Sequence, residues 1–138
     1  MKHAVALIPA LLFSAAAFAA PPKTKLVDFS NDLLIEEPAA LAILKEHIPA
    51  KVWKLYPASK YAFLSQVEGG MKGTTCIVTA RVMMLPLTPT MKAVLFRPEK
   101  TATAFDAQAN SSTEACKSLA REKLKEATQA VVSALVKS

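Results

Sequence analysis

Apolar residues change their spacing twice along this chain, and each change marks an element. Leu41, Leu44 and Ile48 recur at three- and four-residue steps, which gives one apolar helical face. Pro38 suits the first turn of that helix, where its missing N–H costs nothing. Glu36 and Glu37 favour the positive end of its dipole. Pro49 breaks the run. Val52, Leu55 and Tyr56 then predict a second short helical stretch before Pro57. Ahead of both helices, residues 20–35 read as a flexible or extended arm, since the alternation around Val27 is too brief to specify a strand.

From Tyr61 the period becomes two. "YAFLSQV" reads as a strand, and "EGGMKG", which holds all three glycines of the chain, as its turn. "TTCIVTARVMML" is the strongest strand pattern: Cys76, Val78, Ala80, Val82 and Met84 form an unbroken apolar face. Ile77, Met83 and Leu85 make its other face half apolar, so the N-terminal helices or a partner should cover it. "MKAVLF" predicts a third strand, "RPEK" a turn with Pro98 at its second position, and "TATAFDAQA" a fourth strand.

The last element is a long helix. Ser111 and Glu114 have the spacing of a capping box. Leu119, Leu124, Val131 and Leu135 run along one face, and Cys116 falls on the same stripe. Cys76 lies on the fully apolar face of its strand. Both cysteines therefore point into one helix–sheet interface. The predicted fold class is α+β: one or two short N-terminal helices, an antiparallel meander of three or four strands, and a long C-terminal helix packed on the sheet.

The N-terminus bears on whether those cysteines are bonded. "MKHAVALIPALLFSAAAFAA" has a basic start at Lys2, an apolar run and small residues at Ala17 and Ala19, the layout of a secretory signal peptide cleaved after Ala19. The apolar run contains Pro9 and falls short of the ~20 residues that span a bilayer. Residues 1–19 are thus expected to be a signal, residues 20–138 a single domain, and the mature chain to lack a transmembrane segment. Two cysteines in an oxidising compartment pair, so a Cys76–Cys116 disulfide is expected. A catalytic redox pair would place them two residues apart.

Charge and chemistry narrow the function. The chain carries 17 basic and 11 acidic residues, a net +6, with lysines scattered singly rather than in runs. His47 is the sole histidine after the signal, beside Glu46 at a helix end, where the dipole favours it. No His/Cys/Asp/Glu spacing suggests a metal site, and no phosphate loop, dinucleotide fingerprint or nucleophile elbow is present. No cofactor is expected, and an enzyme is disfavoured.

"STEACKSLAREKL" resembles the last motif of the double-stranded RNA-binding domain, whose helix–three strands–helix order is similar to that predicted here. That family clamps phosphate with lysines where this chain has Ser112, Thr113 and Cys116, so no nucleic-acid partner is expected. The alanine-rich signal, single wide disulfide and α+β body resemble small uncharacterised exported proteins of Gram-negative bacteria. That resemblance implies a periplasmic or secreted location and no particular activity. The expected function is a non-enzymatic envelope binding module whose partner is a protein or other macromolecule. Its candidate contacts lie in "KVWKLYPASKYAF": Trp53 as an exposed anchor, with Tyr56, Lys51 and Lys54. The alternative is a periplasmic carrier enclosing a small apolar ligand.

Overall fold

The computed structural model describes residues 20–90 and 97–137. The expected signal segment and the "MKAVLF" strand lie outside the described residues. The elements are β1 (Leu26–Asp28), α1 (Glu37–His47), α2 (Ala50–Leu55), β2 (Tyr61–Lys72), β3 (Thr75–Pro86), β4 (Lys100–Gln108) and α3 (Thr113–Val136). The sheet order is β1-β2-β3-β4. The α+β architecture with a long C-terminal helix on the sheet is as expected. The sheet is mixed rather than wholly antiparallel, because β1 pairs in parallel with β2. The helix–three strands–helix scheme of the RNA-binding domain has no such strand.

The segment from Leu26 to Ile35 is a fixed part of the domain. Phe29 N–H donates to the Ser65 carbonyl at 2.9 Å and Asn31 N–H to the Val67 carbonyl at 2.8 Å, continuing the pairing past β1. Leu34 and Ile35 are buried in the core. Side chains reinforce the seam. Asp28 Oδ1 accepts from Ser65 Oγ and from Ser30 Oγ, each at 2.6 Å, and Ser30 Oγ accepts from Val67 N–H at 2.9 Å. Ser65 has no exposed surface, and this network satisfies its buried hydroxyl.

Strand β2 runs on through Glu68–Met71, where a turn was expected. Gly69 and Gly70 keep their ladder partners Val78 and Ile77 while taking φ of +119° and +137°. Lys72 pairs with Thr75, so the two-residue turn is Gly73–Thr74, with Gly73 at φ +62°. At Gly69 a Cβ would sit 2.0 Å from the Ile77 carbonyl oxygen, so only glycine fits this bend. At the far end of the sheet, Glu99 N–H donates to the Met84 carbonyl and β4 pairs directly with β3, Ala104 opposite Ala80.

The core lies on one face of the sheet. Cys76, Val78, Ala80, Val82 and Met84 meet Leu119, Leu124 and Val131 of α3, with Ala40 and Leu44 of α1 beside them. The N-terminal helices therefore share this face with α3 and do not cover the opposite one. There Ile77 and Met83 are half-buried, Leu85 is buried and Phe105 is exposed. Helix α3 is capped one residue later than the spacing implied: Ser112 Oγ accepts from Ala115 N–H at 3.1 Å. Cys76 and Cys116 form a disulfide across a sequence separation of 40, stapling the first turn of α3 to the first residues of β3.

Candidate lysine-rich docking end

Helix α2 has six residues, and its spacing divides them between two faces. Val52 and Trp53 point inward and are buried; Lys51, Lys54 and Leu55, at the steps of one helical face, are exposed. Trp53 is 4% exposed, with its indole edge-on to Phe63 at a centroid distance of 5.2 Å. The expectation of an exposed Trp53 anchor is thereby corrected: it is a core residue that pins α2 to β2. Tyr56 is half-buried and stacks edge-on with Tyr61 at 5.4 Å. Lys51 and Lys54 stand where a partner could reach them. Leu55, which the periodicity placed among inward positions, is 61% exposed beside them.

The strand register gathers further cations at this end of the sheet. The Lys25 carbonyl accepts from Phe63 N–H, and Lys23 and Lys25 border a shallow recess with Ala58 and Ser59. The Lys60 carbonyl accepts from Leu87 N–H. Lys100 faces Met84, whose other neighbour is Phe63. Lys23, Lys60 and Lys100 are exposed. Lys23, Lys25, Lys60 and Lys100, separate in sequence, thus lie toward one end of the sheet, with Glu99 as an acidic neighbour.

The opposite end is of mixed charge. A cleft of about 600 Å³ opens there between the β1–α1 connection, the bent part of β2 and the start of α3. Leu33, Leu34 and Met71 give it apolar walls, and Asp32 and Glu36 lie at its edge. Its Lys117 is 3.7 Å from Glu114, and Cys116 of the disulfide also contributes. The space between sheet and helices is filled by Phe63, Leu44, Met84 and Leu124, all buried. His47 ends α1, its Nε2 3.9 Å from Glu46 Oε2. Among the described residues, no group of three or more His, Cys, Asp or Glu could hold a metal ion. On α3, the hydrogen bond from Lys123 Nζ to Glu126 holds that ammonium above its ordinary range.

No protein-family model and no curated protein sequence matches the chain. Solved structures with a related course of the backbone include a dodecamer of a single-residue variant of PelC from Paraburkholderia phytofirmans. It has a TM-score of 0.45 and 13% identity, covering 81% of this chain and 90% of that one. The PelC dodecamer in a second crystal form gives 0.42 and 13%, over 82% and 89%. A lipoprotein candidate from Caulobacter crescentus CB15 gives 0.36 and 11%, over 78% and 81%. Among the described residues, no helix is long and apolar enough to cross a membrane.

Proposed function

We propose that this is an exported, non-catalytic binding module of the bacterial envelope, which holds a macromolecular partner through the lysine-rich end. The observation that carries the reading is the division of α2. Buried Trp53 and Val52 fix the helix, and the same six residues present Lys51, Lys54 and Leu55 to solvent. A rigidly mounted, positively charged face with one apolar side chain is suited to recognition by contact. Export is supported by the signal-like N-terminus and by the disulfide, a bond that persists in oxidising compartments.

A photo-crosslinking residue at position 54, with exposed position 121 of α3 as comparison, tests this in intact cells. Position 54 should give an adduct of defined mass, and position 121 far less. Equal yields from both positions, or none from position 54, would contradict it.

A further inference from the structure

The lysine-rich end carries an exposed leucine, and that combination narrows the partner class. We infer that the end docks on an anionic phospholipid leaflet, with Leu55 entering the boundary between headgroups and acyl chains and Lys51 and Lys54 meeting lipid phosphates. The inference rests on the binding-module reading above and names its partner.

Three features lead to it. Leu55 is 61% exposed at the end of α2, and Lys51 lies one helical turn before it. A soluble polyanion gains little from a leucine held among ammonium groups. A leaflet presents phosphate and hydrocarbon in adjacent layers, and an apolar side chain rimmed by lysines matches both. Lysine stems are apolar, so Lys51 and Lys54 can lie along the boundary while their ammonium groups stay at phosphate level.

Uneven charge supplies the second feature. Lys23, Lys60 and Lys100 add cations at the end of the sheet that α2 leads into, whereas around the cleft and the β2–β3 hairpin Asp32, Glu36, Glu68 and Glu114 are interspersed with Lys72, Arg81 and Lys117. An anionic surface attracts the first end more strongly than the mixed second, which favours approach by the α2 end. Rigidity is the third. The Trp53–Phe63 and Tyr56–Tyr61 contacts hold α2 against β2, so Leu55 is presented without a folding step.

The test is flotation of the oxidised protein, purified from its own envelope, with vesicles of two compositions. One is equal parts phosphatidylethanolamine and phosphatidylglycerol; the other is phosphatidylcholine alone. The protein should float with the anionic vesicles and stay behind with the neutral ones. Each lysine near such a surface contributes about fivefold to partitioning. K51E/K54E should therefore lower binding at least about twentyfold. Leu55→Ser should lower it about tenfold at unchanged charge. Raising ionic strength to about 1 M should remove the lysine contribution, because the screening length falls to about 3 Å. All three positions are exposed, and near-ultraviolet circular dichroism checks that the variants keep the fold.

Equal flotation with both vesicles, or indifference to K51E/K54E or to Leu55→Ser, would overturn the inference. If vesicles do not bind but position 54 crosslinks to a glycan or protein, the lipid is the wrong partner while the binding-module reading stands. If neither occurs, both fall.

Discussion

The indole of Trp53 meets the ring of Phe63 edge-on, with centroids 5.2 Å apart and planes inclined by 69°. Such pairs stabilise by about 0.5–1.5 kcal/mol beyond the area they bury. This contact fixes which way α2 faces, and so places Lys51 and Lys54 outward. Trp53→Ala should destabilise the protein by about 3–5 kcal/mol, measured by denaturant unfolding. As Trp53 is the only tryptophan in the chain, native fluorescence should be that of a buried indole and shift to longer wavelength on unfolding. Emission already typical of water in the native state would show that α2 is mounted differently.

The disulfide closes a long loop, so its loss should be costly. For the separation of 40 residues, chain entropy gives about 4 kcal/mol at most. The C76S/C116S double variant should lose up to that amount in equilibrium unfolding, and the native protein should show no reactive thiol without reductant. Free thiols in protein taken from the envelope would contradict the staple.

The hydrogen bond from Ser65 to Asp28 anchors the parallel strand. Ser65→Ala removes a buried donor to a carboxylate and should cost about 1.5–3 kcal/mol. Amide hydrogen exchange at Phe29 and Asn31 should accelerate more than at the centre of β3, because those two amides hold the seam. Uniform acceleration throughout the sheet would mean that β1 has no separate stability.

The two mid-strand glycines should respond differently to a methyl group. Gly70→Ala meets open space and incurs only the backbone penalty of φ +137°, about 1–3 kcal/mol. Gly69→Ala incurs a similar penalty and also drives a Cβ to within 2.0 Å of the Ile77 carbonyl oxygen. It should be clearly the more destabilising in denaturant titration. Equal effects would show that β2 is not bent as described.

Much of this fold is legible in the sequence because period and cysteine placement agree. The apolar face of Cys76 to Met84 and the stripe of Cys116 to Leu135 independently point to one interface, and the disulfide joins them there. Strand β1 is not legible. Three residues carry too little alternation, and its pairing depends on hydrogen bonds to Ser65 and Val67, distant in sequence. The glycine pair misleads, since glycine marks a turn more often than a bend within a continuing ladder. The burial of Trp53 has a signal in the helical spacing: Lys51, Lys54 and Leu55 share one face, which leaves Val52 and Trp53 for the other. The convergence of lysines has none, because sheet register rather than sequence proximity brings Lys23, Lys60 and Lys100 together.

If the α2 face, rather than positive charge in general, holds the protein to the envelope as proposed, charge reversal there and elsewhere should have different effects. Cell fractionation of two charge-reversal variants tests it directly. K51E/K54E alters α2, and R121E/K125E makes the same change in net charge on exposed positions of α3. K51E/K54E should move from the washed envelope into the soluble fraction while R121E/K125E stays with the wild type. Identical partitioning of the two variants would contradict it.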